Sequence, residues 1–256
     1  MTKNNVAVIT GASSGLGCEF VKGLIKLHPE INEYWLIARR KDKMEALASN
    51  FTNVKFKILP LDLSNKDSFE VYEQTLEGDK PNISILINNA GYGKLGDFDK
   101  LDCKGQYGMA DVNIRAMIAI TRYSLDYMCE GSVILNTCSI AAFLPNPRMA
   151  VYSSTKAFVF SFSKALREEL KKRKINVLAC CPGPMDTEFL PTAGIDKGAS
   201  ALFDFCPRVD QSEMAEKSII RAYKGKAVYT NKLMYKLYRV LGKLLPHNWL
   251  MHKFTA

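Results

Sequence analysis

Thr10-Gly11-Ala12-Ser13-Ser14-Gly15-Leu16-Gly17 stands between a short apolar run, Val6 to Ile9, and a segment of helical pattern, Cys18 to Leu27. A glycine-rich turn that leaves a strand and opens a helix holds phosphate on the unpaired backbone N–H groups of the helix N-terminus. The three glycines have separate tasks. Gly11 permits the tight turn, Gly15 lets the backbone approach a pyrophosphate, and Gly17 lets helix pack closely on strand. Ser13, Ser14 and Leu16 complete the predicted cradle. An ordinary Gly/Ser turn is the bland alternative, and it leaves the strand-turn-helix context unexplained.

Beyond this turn, Tyr34 to Ala38, Val54 to Leu59, Ile83 to Ile87, Val133 to Asn136 and Val177 to Cys180 are further runs rich in Val and Ile, separated by longer helical patterns. Continuous apolar strands alternating with helices predict an α/β fold whose parallel sheet is covered on both faces. The longest helical stretches, about 104–128 and 150–174, lack proline and are expected to pack side by side. Lys171-Lys172-Arg173-Lys174 reads as the solvated end of the second, where positive charge suits the helix dipole. With no repeat, low-complexity tract or Gly/Ser linker, a single domain over 1–256 is predicted.

Composition excludes several classes. Hydrophobic residues at 47% and charged residues at 24% are those of a folded chain, so wholesale disorder is excluded. No apolar run approaches a membrane span, and Met1 to Asn5 lead straight into a strand without a signal peptide's apolar segment, which predicts a cytoplasmic protein. Lys and Arg exceed Asp and Glu by 35 to 26, but the basic residues read as dispersed and no nucleic-acid motif accompanies them. Seven cysteines in core-like segments, an odd number with no C-x-x-C pair, predict buried free thiols in a reducing compartment. His28, His247 and His252 are too scattered for a zinc site, and no metal is assigned.

Ala38-Arg39-Arg40 ends the second strand, where an acidic residue would bind both ribose hydroxyls and repel a 2′-phosphate. Arg39 and Arg40 can hold that phosphate through forked, charge-assisted hydrogen bonds, so NADP(H) is predicted over NAD(H). The alternative is two solvated arginines opening a helix. Asp62, in Leu61-Asp62-Leu63, either accepts from adenine, with Leu63 beside it, or caps the next helix.

Four elements in order, Thr10 to Gly17, Asn88-Asn89-Ala90-Gly91, Ser139 and Tyr152-Ser153-Ser154-Thr155-Lys156, resemble the short-chain dehydrogenase/reductase (SDR) family from about Val6 through Thr187. The likeness is to its NADP-preferring members, such as bacterial hydroxysteroid dehydrogenases and carbonyl reductases. The resemblance implies a Rossmann-type, doubly wound, seven-stranded parallel sheet, a nicotinamide cofactor, and hydride transfer between a ketone and a secondary alcohol. It implies that Asn113 is the fourth catalytic residue, supporting a water that links Lys156 to solvent. Pro182-Gly183 and Thr187 match the segment that holds the nicotinamide carboxamide. A dimer or tetramer built on the two long helices is implied as well. Asn88 and Asn89 read as supports at a strand end, with Asn89 also beside Ala90 and Gly91 among the cofactor contacts.

The chemistry has its own argument. Tyr152 and Lys156 are one helical turn apart, so they share a face with Cβ atoms about 6 Å apart. A phenol of ordinary pKa near 10 is a poor base at neutrality, and an adjacent ammonium and an oxidised nicotinamide are expected to favour its phenolate. In reduction Tyr152 then protonates the carbonyl oxygen, Ser139 hydrogen-bonds the same oxygen, and Lys156 also holds the nicotinamide ribose. The bland readings are an amphipathic helix pair, a strand-end cap and, for Asn113, a polar residue inside a helix.

Phe143, Leu144, Met149, Met185, Phe189 and Leu190 flank these motifs, and Leu202, Phe203 and Phe205 continue in a substrate-covering segment at about 186–210. They predict an apolar pocket for a bulky hydrophobic substrate such as a hydroxysteroid or bile acid, core packing being the alternative for some of them. In the tail, about 232–254, Leu233, Leu237, Val240, Leu241, Leu244 and Leu245 recur at helical spacing beside Lys232, Lys236, Arg239 and Lys243. Packing of that apolar stripe on the pocket or another subunit is preferred over peripheral membrane contact. The competing functions are a 3-oxoacyl-carrier or general carbonyl reductase, and a catalytically silent NADP-binding sensor or partner protein.

Overall fold

The computed structural model describes residues 5–195 and 206–251. Seven strands, β1 (Asn5–Thr10), β2 (Glu33–Ile37), β3 (Lys55–Leu59), β4 (Asn82–Asn88), β5 (Val133–Thr137), β6 (Asn176–Cys180) and β7 (Val228–Tyr229), form one parallel sheet in the order β3-β2-β1-β4-β5-β6-β7. This is the parallel α/β sheet that the apolar strand runs predict, in the doubly wound, seven-stranded form that the family resemblance implies. β7 has only two residues, too few for periodicity to reveal.

Parallel neighbours require crossovers, and helices supply them, α2 (Lys41–Ala48) between β2 and β3 among them. One face carries α1 (Gly15–Leu27), whose Leu16, Phe20 and Leu24 are buried against Met214 and Ile219 of α8 (Gln211–Tyr223). The other carries α3 (Asp67–Asp79), α5 (Met117–Leu125) and α6 (Ala150–Glu169), which bury Phe69, Tyr72, Leu76, Ile120 and Leu166. Each such side chain contributes about 1.5–3 kcal/mol by leaving water. The Tyr72 hydroxyl meets Ser124 Oγ at 2.7 Å, so the one polar tip in that contact is satisfied.

The chain leaves β1 for β2 and β3, then returns past β1 to β4. Helices therefore diverge at the β1/β4 boundary and open a crevice at the strands' C-terminal ends, the switch point where such sheets bind ligands. The ends of β1, β4, β5 and β6 bring Gly11, Asn89, Ser139 and Pro182 there. Both long helical stretches form: α4 (Cys103–Ala110) passes through a π-helical turn (Asp111–Ala116) into α5, and α6 packs against α4 and that turn. Cys138, Cys180 and Cys181 are buried free thiols, whereas Cys103 and Cys129 are exposed, so the core reading holds for only part of the set.

The tail forms the helix that its spacing predicts. In α9 (Leu233–Leu244), Tyr235 and Gly242, seven residues apart, face inward, and the Tyr235 hydroxyl donates to Pro207 O at 2.7 Å. Leu233, Leu237, Val240 and Leu244 lie on the opposite side and are exposed in the single chain. The inward face is set by one ring and one glycine rather than by the leucine stripe. A short helix, α10 (His247–Met251), follows, and no described helix is long and apolar enough to cross a membrane.

Burial pushes the phenols of Tyr34, Tyr72 and Tyr223 well above their ordinary range. As pH rises past about 10 the unfolded chain loses phenolic protons that the folded chain keeps, so stability is full below that pH and falls above it. Urea midpoints are expected to decline above pH about 10, and a rising midpoint there would contradict these burials.

Candidate active site

The glycine turn is built as its spacing predicts. Gly11 has φ +67°, and a Cβ there would come within 2.9 Å of Ala90 Cα. A Cβ on Gly17 would fall 2.1 Å from the Gly11 carbonyl oxygen, so Gly17 serves packing and does not line the cleft, whereas the other predicted cofactor residues all do. Ser14 stands at the N-cap of α1 in extended conformation without a side-chain capping bond, which leaves the first helical N–H groups for an anion.

Amides and hydroxyls tie this turn to its neighbours. Thr10 Oγ1 accepts from the backbone N–H groups of Asn89 at 2.9 Å and Ala90 at 3.0 Å. Asn89 donates through Nδ2 to Gly11 O at 3.3 Å and accepts from Thr137 Oγ1 at 3.2 Å. Asn88 donates to Thr121 and Asn136 inside the core, in the supporting role expected of it.

At the end of β2, Arg40 Nη2 donates to Glu188 Oε2 at 2.7 Å and to Ser13 Oγ at 3.3 Å. The hydrogen bond from Arg40 holds the Glu188 carboxyl below its usual range. Glu188 sits at the start of α7 (Phe189–Thr192) and was not among the predicted residues, because no local pattern joins it to an arginine so distant in sequence. Asp62 Oδ1 accepts from Ser64 N at 2.9 Å and Ser64 Oγ at 2.7 Å, forming a turn ahead of α3. Burial raises its pKa, but those bonds and the charge of Arg39 outweigh the burial and keep it low.

The chemical end lies where α6 begins. Tyr152 and Lys156 are buried one turn apart, and Ser139, from the end of β5, lines the same cleft. Ser139 Oγ also accepts Ala141 N at 3.1 Å, which fixes its rotamer. Lys156 Nζ donates to Thr137 O at 2.9 Å and stands 5.8 Å from the Tyr152 ring centroid.

Burial in the cofactor-free chain works against the phenolate. Burial pushes the Tyr152 phenol well above its ordinary range, and Ser139 pulls it part of the way back. Lys156 spends its donor on a carbonyl, and burial lowers its own pKa. Without cofactor, then, the site keeps its proton on the phenol. Asn113, in the π-helical turn, does not reach the main cleft. Its amide donates to Tyr92 O at 2.9 Å and Thr155 Oγ1 at 3.0 Å and accepts from Tyr92 N at 3.0 Å, clamping the loop after Gly91 onto α6.

The cleft has a volume of about 840 Å³, enough for a dinucleotide's nicotinamide half and a substrate beside it. Met149, Met185, Phe189 and Leu190 line it as predicted, with the Phe189 ring centroid 5.6 Å from that of Tyr152. Phe143 and Leu144 do not. Phe143 packs on Phe160 and Tyr238, and Leu144 lies under Gly242, because the 3₁₀ turn Ile140–Ala142 directs the chain beneath α9. Leu202, Phe203 and Phe205 lie outside the described residues. Sequence reasoning missed Tyr92 and Met234 as lining residues, and α9 adds Leu237 and Leu241 to the same wall.

The residues fit a nicotinamide dinucleotide: the turn has no room for side chains at Gly11 and Gly17, and the helix N-terminus above it is uncapped. A family model described as short chain dehydrogenase matches residues 5–197. An uncharacterized oxidoreductase of Staphylococcus aureus is 33% identical over 195 residues, covering 72% of this chain and 79% of that protein. A short-chain dehydrogenase from Sphingobium yanoikuyae in complex with NADPH superposes with TM-score 0.79 at 26% identity, over 97% of this chain and 95% of the other. A 3-ketoacyl-(acyl-carrier-protein) reductase from Brucella melitensis complexed with NADH gives TM-score 0.74 at 25% identity, over 90% of this chain and 98% of the other. Motif order, sheet order and the extent of the family match agree, and the chain belongs to the short-chain dehydrogenase family.

Proposed function

We propose that this chain is an NADP(H)-dependent oxidoreductase that interconverts a ketone and a secondary alcohol, and that its substrate is bulky and hydrophobic, of the hydroxysteroid or bile-acid class. The observation that carries the reading is that Ser139, Tyr152 and Lys156 line the same cleft as the glycine turn. The bound nicotinamide supplies or receives the hydride.

In reduction, Tyr152 gives its proton to the carbonyl oxygen, and Ser139 donates a hydrogen bond to that oxygen as negative charge develops. Burial keeps the phenol protonated beforehand, which is the state a proton donor needs. In oxidation the phenolate must form, and positive charge brought beside it is what favours that form. Lys156 holds the ribose and restores the proton. Behind it lies a cavity of about 10 Å³, lined in part by Asn88, Asn113, Thr137 and Lys156, the size that holds one water. Asn88 Oδ1 is buried there without a protein partner, which supports a water relay from Lys156.

Cofactor preference rests on Arg39 and Arg40 at the end of β2 and on the lack of a carboxylate in that position of the sequence. A 2′-phosphate, with more charge and more acceptors than a carboxylate, takes Arg40 from Glu188. Arg39→Ala/Arg40→Ala is expected to weaken NADPH binding about 10–100-fold and leave NADH nearly unchanged. Equal affinity of the unaltered protein for both cofactors would contradict the assignment.

Following absorbance of the reduced nicotinamide with steroid, aliphatic and acyl ketones, under both cofactors, tests the substrate class. Steroid-like ketones with NADPH are expected to be turned over fastest, and activity confined to small polar ketones overturns the reading. A 3-oxoacyl-carrier reductase is the second reading, favoured by the net charge of +9, which attracts an acidic carrier. Pairing of copies through the long helices is supported by the exposed apolar residues Tyr107, Ile118 and Phe158 on α4, α5 and α6.

A further inference from the structure

The basic residues are less dispersed than composition suggests. Residues 217–256 contain nine Lys and Arg and no Asp or Glu, while 1–216 balance at 26 of each sign, so the whole net charge of +9 resides in the C-terminal stretch. That stretch includes α9, whose outward face carries Leu233 at 81%, Leu237 at 57%, Val240 at 46% and Leu244 at 74% exposure. Lys232, Lys236 and Lys243 flank this stripe on one side and are exposed. On the other side Met234 and Leu241 turn toward the cleft, which they line together with Leu237. Trp249, on the next short helix, is 57% exposed.

A stripe of leucines turned to solvent destabilises a protein's solubility unless something covers it. A row of lysines beside it and an indole near its end suit the boundary between lipid headgroups and acyl chains. The absence of any acidic residue in the same forty positions favours an anionic surface over a second copy of this chain, which would bring the same positive charge against it.

We propose that α9 and Trp249 form a peripheral docking surface for anionic lipid bilayers. The leucine stripe enters the headgroup boundary, the lysines meet anionic headgroups, and the cleft wall formed by Met234, Leu237 and Leu241 opens beside the bilayer. An apolar molecule dissolved in lipid then has a path to the cleft that avoids bulk water.

The full-length protein, loaded with NADPH, is mixed with vesicles of phosphatidylglycerol and phosphatidylcholine, or of phosphatidylcholine alone, and sedimented. Binding to the anionic vesicles is expected, weakened by high salt and by Lys232→Gln/Lys236→Gln/Lys243→Gln. Leu233→Ser/Leu244→Ser, at positions outside the cleft, is expected to lower partitioning by about tenfold or more and to keep ketone turnover. Trp35 is fully buried, so a blue shift of tryptophan emission on binding, and its quenching by brominated acyl chains, reports on Trp249 without relying on any variant. No binding to anionic vesicles at low salt, binding unaffected by Leu233→Ser/Leu244→Ser, or unchanged Trp249 emission would each overturn the proposal. So would a serine variant that instead converts an oligomer to monomers, since the face would then belong to a second copy. The assay involves no turnover, so its failure and a failure of the reductase reading are distinguishable.

Discussion

Tyr152→Phe is expected to lower turnover by about 10³-fold while NADPH affinity stays within about twofold. The substitution removes one oxygen and leaves the ring, which packs beside Phe189 with centroids 5.6 Å apart. Ser139 remains held by Ala141 N at 3.1 Å, so one hydrogen bond to the substrate oxygen survives and some residual activity with it. Only the proton donor is lost. The remaining donor cannot replace it, because a serine hydroxyl can polarise a carbonyl but does not release its proton near neutrality. Steady-state kinetics with direct cofactor titration check this, and a variant with turnover near the unaltered level would remove Tyr152 from the chemistry.

The second large effect separates function from stability. Lys156→Met is expected to reduce turnover by about 10²–10³-fold and to leave the thermal midpoint unchanged or raised. The lysine is only 5% exposed, and among the described contacts its ammonium donates to one carbonyl, that of Thr137 at 2.9 Å. Burial disfavours its charge, so a side chain of similar length without one fits the same space at lower desolvation cost. On the proposed reading, a buried amine at this point serves the proton and the ribose rather than the fold. Differential scanning calorimetry beside kinetics checks both halves. A variant that unfolds while the rest of its chemistry persists would assign Lys156 to the scaffold.

What the sequence made legible was local. The glycine turn is read within one strand-turn-helix unit, and Tyr152 and Lys156 within one helical turn, so neither depended on how distant segments meet. Glu188 was invisible because its partner, Arg40, lies 148 residues away and only the closed fold brings them together. Leu237 and Leu233 look alike in a helical stripe and both face solvent, yet Leu237 also borders the cleft and Leu233 does not, since Tyr235 and Gly242 set the rotation of α9. Phe143 and Leu144 sit next to the Ser139 motif in sequence, and a short 3₁₀ turn takes them into the core beneath α9. The upward shift of Tyr152 was missed for the same reason: a charge four residues along is visible in sequence, whereas burial by Phe189, from a segment 37 positions distant, is a property of the assembled fold.

The Tyr152 phenol is expected to hold its proton until positive charge arrives with the oxidised cofactor. NMR of protein labelled at the tyrosine ring carbons, with the Tyr152 signal assigned by Tyr152→Phe, follows that proton directly through a pH titration of the free protein, the NADPH complex and the NADP⁺ complex. Ionisation above the ordinary value of about 10 is expected in the free protein, with a clear drop only with NADP⁺. One unchanged titration curve in all three states, together with normal alcohol oxidation at neutral pH, would contradict it.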